Sequence, residues 1–296
     1  MNDIVLSAGD LQATFVPKLS MVGSSLRHRE DELLGVRGGL AAWGQRGKTM
    51  GIPMLHPWAN RLSGWDYTVA GTRVDLPRGS ADIRTEEHGL PIHGLMHGNA
   101  DWTVVESSAT EVRAELDFGA DNSMMRLFPF AHTLALHAVL DPIGLQLNTT
   151  MTATGDLPVP VSFGYHPYLQ LPGVARRDWN LECTVSQHLV LDSHSVPTGE
   201  VRNEPVATGP LGDRTFDDGY QSADGAWMRL SGGGWTVDTR FLEGYTHAQL
   251  FAPRVEDLIS FEPMTAPSDA LRTGRGLRTL APGESFSAAF RIDVYR

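Results

Sequence analysis

Two ionisable side chains stand out in this sequence, each ending an apolar, strand-like run and each followed by proline. One is His166, in Val161-Ser-Phe-Gly-Tyr-His-Pro-Tyr-Leu-Gln-Leu171. The other is Glu262, in Leu258-Ile-Ser-Phe-Glu-Pro263. Proline has no N–H and disfavours a helical residue before it, so both groups are expected in extended backbone where a strand stops pairing. A histidine and a carboxylate brought together in that way can act as an acid–base pair. Glu262 follows Leu258, Ile259 and Phe261. A carboxylate buried there without partners is costly, so it reads as paired or functional. A histidine in an apolar strand is commonly a satisfied core residue. Gly164, Pro167 and the flanking Tyr165 and Tyr168 give His166 the composition of a pocket rim instead.

Three further segments carry polar groups. Gly51-Ile-Pro-Met-Leu-His-Pro-Trp-Ala-Asn-Arg61 ends in Arg61, whose forked donors can span two vicinal oxygens. Asn60 adds donor and acceptor capacity, and Trp58 offers a flat apolar face to a sugar ring. The competing reading is an arginine paired with a carboxylate to pin the loop. Gly89-Leu-Pro-Ile-His-Gly-Leu-Met-His-Gly98 follows, with Trp102 behind it. His93 and His97 would share one face of a helix, as metal ligands can, but Pro91, Gly94 and Gly98 oppose a helix and Cys183 is isolated. No metal is expected. A neutral His93 hydrogen-bonding a hydroxyl is the favoured reading, and a histidine satisfying the loop backbone is the alternative. Asp217, in Thr215-Phe-Asp-Asp-Gly-Tyr220, either caps its own turn or holds a ligand.

The elements that must position these groups read as strands. Val112, Ala114, Leu116 and Phe118 alternate with charged residues. Leu145, Leu147, Thr149, Met151 and Ala153 alternate with Gln146, Asn148, Thr150, Thr152 and Thr154. Phe286, Ala288, Phe290, Ile292 and Val294 share a face. Period two is the mark of strands buried on one side. Asp141-Pro-Ile-Gly144 joins two such runs as a hairpin, and Ala281-Pro-Gly-Glu284 and Ser231-Gly-Gly-Gly234 mark further reversals. No helical periodicity extends over ten residues. The expectation is an all-β fold, a large antiparallel β-sandwich, forming a single domain over residues 1–296. The stretch 35–60, rich in glycine and proline, resists a strand reading, and a loop that long is commonly functional.

The composition narrows the function. A net charge of -11 argues against a nucleic-acid surface and mildly against a strongly anionic ligand, unless a local arginine pocket overrides the global field. The single cysteine excludes an intramolecular disulfide. No signal peptide is seen at the N-terminus and no run approaches a membrane span. A cytoplasmic protein, monomer or homodimer, with a small-molecule substrate, no membrane and no nucleic-acid partner is the expectation.

In order and spacing, these segments together resemble the aldose 1-epimerase (mutarotase) family. The resemblance rests on Ala59-Asn60-Arg61, His93-Gly94 with Trp102, His166-Pro-Tyr-Leu-Gln-Leu-Pro-Gly173, Phe216-Asp217-Asp218-Gly-Tyr220 and Phe261-Glu262-Pro263. It implies a galactose mutarotase-like supersandwich and a cofactor-free isomerase. By position it implies Glu262 as general base, His166 as general acid, and His93, Arg61 and Asp217 as sugar-binding residues. The chain departs from the galactose mutarotase pattern around Arg61, His93 and His166, which marks a divergent branch. On that side lie proteins resembling hexose-6-phosphate epimerases, for which Arg78 and Arg84 are the nearby basic residues. A non-catalytic carbohydrate-binding protein, and a metal-dependent enzyme using His93, His97 and His166, are the other readings. A pure binder need not retain both His166 and Glu262.

Overall fold

A computed structural model describes residues 3–44, 49–96, 100 and 102–296. The hairpin expected from alternation is present: His132–Leu140 pairs antiparallel with Gly144–Ala153, and Leu140 faces Leu145. Asp141 closes the turn. Its Oδ1 accepts the N–H of Ile143 at 2.8 Å and of Gly144 at 3.0 Å. Gly144 admits the next strand, because a Cβ there would lie 2.3 Å from the Ile292 carbonyl oxygen.

That hairpin sits within a nine-stranded sheet. Its spatial order is Gly209–Pro210, Asn180–Cys183, Trp227–Gly232, Trp235–Glu243, Ser285–Tyr295, Gly144–Ala153, His132–Leu140, Glu111–Asp117 and Thr103–Ser107. A seven-stranded sheet runs Pro197–Asn203, Gln187–Leu191, Phe216–Gln221, His247–Ala252, Ser260–Met264, Gly164–Tyr165 and Met54–Leu55. Their inner faces meet in the core. Phe241 stacks on Phe261 at 4.8 Å, Tyr165 packs on Phe290 at 5.1 Å, and the Thr149 and Tyr165 hydroxyls are 2.7 Å apart. Stacked sheets joined this way form a sandwich. A four-stranded sheet, Ile4–Ala8 to Asp31–Glu32, precedes them. Among the described residues no α-helix exceeds six residues.

One expectation is corrected. Glu262 does not end its strand: Ser260–Met264 runs on, with Glu262 opposite Gln249, Pro263 opposite Ala248 and Met264 opposite His247. Pro263 is tolerated because the strand on its other side pairs only through Gly164 and Met264. His166 does follow the end of its strand, Gly164–Tyr165.

The stretch 35–60 contains the short helix Gly39–Gly44 and the strand Met54–Leu55. Its later part is laced to the His166 segment: Tyr168 N–H donates to the Gly51 carbonyl at 2.9 Å, and His166 N–H to that of Pro53 at 3.1 Å. Gly51 has φ +63, and a Cβ there would stand 2.1 Å from the Gly23 carbonyl oxygen, so only glycine fits.

Candidate active site

The two-residue period of the strands decides what the site contains. Asp217 lies opposite Phe251, and Gln249 lies opposite Glu262. Opposed residues on antiparallel strands share a face, as do residues two apart. Asp217, Gln249, Phe251 and Glu262 therefore project from one face of the seven-stranded sheet, while Leu250 and Phe261 project into the core. Asp218 belongs to the alternate set, and its carboxylate lies 3.4 Å from His188 Nε2.

His166 enters from the adjoining strand. A Cβ at Gly164 would meet the Pro263 carbonyl oxygen at 2.6 Å, so this glycine lets the strand come close. His166 Nε2 then lies 3.1 Å from Glu262 Oε1, with 4% and 2% of the two side chains exposed. Tyr168 stacks on the imidazole at 4.0 Å, Phe251 meets its edge at 5.4 Å, and the His93 ring stands 5.5 Å away.

Loops on the same face bring the remaining groups. His93 N–H donates to the Asn60 carbonyl at 2.9 Å and Leu62 N–H to that of Pro91 at 2.9 Å, which sets Arg61 beside His93. Asn60 orients the guanidinium: its Oδ1 accepts from Arg61 N–H at 2.7 Å and from Nη1 at 3.2 Å. Arg61 Nη2 reaches Asp217 Oδ2 at 2.8 Å, and Gln249 Nε2 donates to Asp217 Oδ1 at 2.7 Å. The groups surround a cavity of about 150 Å³. A cavity of about that size can hold a six-membered ring. Glu262 Oε2, His166 Nδ1, Arg61 Nε and Arg84 Nη1 are buried with no hydrogen-bond partner among the described residues. Each such atom costs about 1–3 kcal/mol, which a polar ligand can offset.

This arrangement can be set beside known proteins. Residues 25–293 match the family model described as Aldose 1-epimerase. The chain belongs to the aldose 1-epimerase family. It is 23% identical over 307 residues to the uncharacterized protein YihR of Escherichia coli K12, covering 98% of this chain and 92% of that one. A galactose mutarotase-like protein from Clostridium acetobutylicum shares the fold at TM-score 0.86 and 17% identity, covering 99% of this chain and 94% of that one. A galactose 1-epimerase from Lactobacillus acidophilus shares it at TM-score 0.74 and 15% identity, covering 97% and 92%.

Burial sets the protonation of the pair in this family member. Glu262 is pushed well above the usual carboxylate range by burial and then by Asp217, with Arg61 opposing. His166 is pushed well below the usual imidazole range by burial and then by Arg37 and Arg84. Both shifts favour neutral groups, so one proton is held between two sites.

Of the residues singled out from sequence, Arg61, Asn60, His93, His166, Asp217 and Glu262 line the cavity. Trp58 does not. Its ring is 1% exposed and lies in the hydrophobic core, tilted against Tyr67 at 6.5 Å. A tryptophan in a loop motif can face either way, and here it anchors the loop from beneath. Arg84 lines the cavity, whereas Arg78 lies over the Trp65 ring at 5.3 Å. His97 lies outside the described residues. Among those described, the cluster close enough to share a metal ion is Glu86, Glu87 and His88, which includes neither His93 nor His166.

Sequence reasoning missed Arg37, Thr49, Gln249 and Phe251. Arg37 holds Glu256 in a fork at 2.6 and 2.8 Å and donates to the Tyr168 hydroxyl at 3.3 Å; that hydroxyl also bonds Thr49 Oγ1. Arg37 and Glu256 lie too far apart in the chain for any local pattern to join them. Gln249 had a usable signal, a polar residue in the apolar run His247-Ala-Gln-Leu-Phe-Ala252.

Proposed function

We propose that the protein is an aldose 1-epimerase, interconverting the α and β anomers of a hexose or related sugar by acid–base ring opening and closure. The observation that carries this reading is the buried His166–Glu262 contact at 3.1 Å, beside a cavity edged by Arg61 and Asp217.

Mutarotation moves protons without consuming any. One group removes the proton from the anomeric hydroxyl while another protonates the ring oxygen. The ring C–O bond breaks and the open-chain aldehyde forms. The C1–C2 bond rotates, and the reversed transfers close the other anomer. Glu262 as carboxylate and His166 as imidazolium open the ring and become the neutral carboxylic acid and imidazole. Closure returns both protons. Burial favours the neutral pair, so the ionised form that opens the ring arises by passing the shared proton from Glu262 to His166 across their 3.1 Å contact, and ring opening returns the pair to its favoured neutral form. Arg61, held by Asn60 and Asp217, and His93 are the groups we assign to the sugar hydroxyls. The chemistry calls for no redox or electrophilic cofactor. We expect a cytoplasmic enzyme that works as a monomer or homodimer.

Polarimetry of freshly dissolved α-D-glucose and α-D-galactose tests the reading. Protein-dependent acceleration of the decay to equilibrium rotation supports it. A binder without catalysis leaves the decay at its spontaneous rate across a panel of neutral and acidic sugars.

A further inference from the structure

One cation at the cavity has no carboxylate of its own among the described residues. Arg61 is paired with Asp217 at 2.8 Å and has Glu86 3.8 Å from its Nε, Arg37 is forked onto Glu256, and His166 and Glu262 face each other. Arg84 has no carboxylate within ion-pair distance among the described residues, and its buried Nη1 has no hydrogen-bond partner. The Ile92 N–H donates to the Arg84 carbonyl at 3.0 Å, which ties this arginine to the strand-like segment leading into His93. Its guanidinium lines the cavity with Arg37 and Tyr168. Burial and the nearby Arg37 both destabilise its charge.

A half-buried cation with no partner is costly to keep. Ordinary packing would supply a carboxylate or replace the arginine with an apolar residue. The cost is understandable where a ligand brings the missing negative charge, since guanidinium–oxyanion contacts are short, forked and strong. The protein as a whole carries -11, so its long-range field repels anions and attraction must be local.

We infer that the cavity takes an acidic aldose, a sugar bearing a carboxylate, sulfate or phosphate group, with Arg84 as the residue that receives the anionic oxygens. The aldose part rests on the epimerase reading; the anion subsite rests on Arg84 alone. The subsite also separates a neutral hexose from its acidic counterpart, because the neutral sugar leaves Arg84 unpaired.

The test measures affinity by calorimetry, using sugar analogues that lack the anomeric hydroxyl and cannot turn over. A neutral analogue is compared with its uronate, 6-sulfate and 6-phosphate forms. At least one acidic form should bind about 10- to 100-fold more tightly than the neutral parent. The tightest identifies the group. Arg84→Met should erase the preference and Arg84→Lys should keep part of it, with folding checked by thermal melting. Equal affinity for all four analogues overturns the inference, as does a preference that survives Arg84→Met in folded protein. Because binding is read without turnover, a protein that prefers the acidic analogues yet interconverts no anomers keeps the anion subsite and loses the epimerase assignment.

Discussion

Nε2 of His166 stands 3.1 Å from Oε1 of Glu262, and neither side chain has more than a trace of exposed surface. The charged neighbours that oppose ionisation of this pair are cationic on the imidazole side and anionic on the carboxylate side. Arg37 and Arg84 oppose a charge on His166, while Asp217 opposes one on Glu262. The pair therefore behaves as one titrating unit holding a single proton across a wide pH range.

The pH profile follows from these directions. Isolated groups at their ordinary values of 4.5 and 6.5 would hold one proton between them only in that narrow interval. Here Glu262 is raised and His166 lowered. A second proton enters only well below pH 6.5, and the single proton leaves only well above pH 4.5. We predict a broad plateau in kcat/KM that continues above pH 6.5, with the acid limb below it. Stopped-flow polarimetry across the pH range checks this. A narrow bell centred between the two ordinary values would contradict it.

Arg61 should govern substrate binding more than the chemical step. Its fork is aimed by Asn60 and Asp217, and Asp217 is itself fixed by Gln249. Lysine offers a point charge without the fork. Arg61→Lys is predicted to lower kcat/KM about 10- to 100-fold, mostly through KM, as expected for losing charge-assisted hydrogen bonds. Gln249→Ala should have the same sign and a smaller size. Initial-rate kinetics at several sugar concentrations separate the two constants.

A buried histidine pair is predicted to weaken the fold in acid. His56 Nε2 and His132 Nε2 are 2.8 Å apart, and His132 Nδ1 lies 2.6 Å from the Phe130 carbonyl oxygen. A carbonyl only accepts, so Nδ1 of His132 carries the hydrogen and its Nε2 accepts from His56. Burial lowers both, His132 to about 4 from an ordinary 6.5. Between those values the unfolded chain binds more protons than the folded one. The pair's contribution to stability is therefore predicted to be full above pH 6.5 and to fall as pH drops towards 4, by about 3 kcal/mol for His132 alone. Denaturant titrations at pH 7.5 and 4.5 measure this loss. The double variant His56→Phe/His132→Leu should show a shallower pH dependence.

Gly94 links the fold to the site. Its φ is +70, and a Cβ would sit 2.1 Å from the His56 carbonyl oxygen. That carbonyl also accepts the Leu95 N–H at 2.7 Å. Gly94→Ala should cost about 1–3 kcal/mol in backbone strain alone and move His93 away from the cavity. Thermal melting and turnover should fall together.

Much of this was legible in the chain. The hairpin at Asp141 was visible because alternation and an Asx turn are both local, and the sandwich followed from the repetition of such runs. Arg61, His93, His166, Asp217 and Glu262 could be chosen because each interrupts an apolar or glycine-rich pattern with a group able to do chemistry. Trp58 was misplaced because loop residues have no period to say which side faces the core. Glu262 was expected at a strand end because proline usually halts pairing; the near-absence of a ladder beside Pro263 removed that constraint. Arg37 was illegible because its partner lies 219 residues away.

The central claim is that Glu262 and His166 exchange protons with the anomeric centre. Its most direct test is saturation-transfer NMR between the α and β anomeric protons of the best substrate, comparing the protein with Glu262→Gln. Glutamine keeps the shape and a hydrogen-bonding oxygen but cannot take the proton. The account predicts protein-catalysed exchange that falls about 10²- to 10⁴-fold in the variant while the fold and sugar affinity persist. Exchange that continues undiminished in folded Glu262→Gln would contradict it.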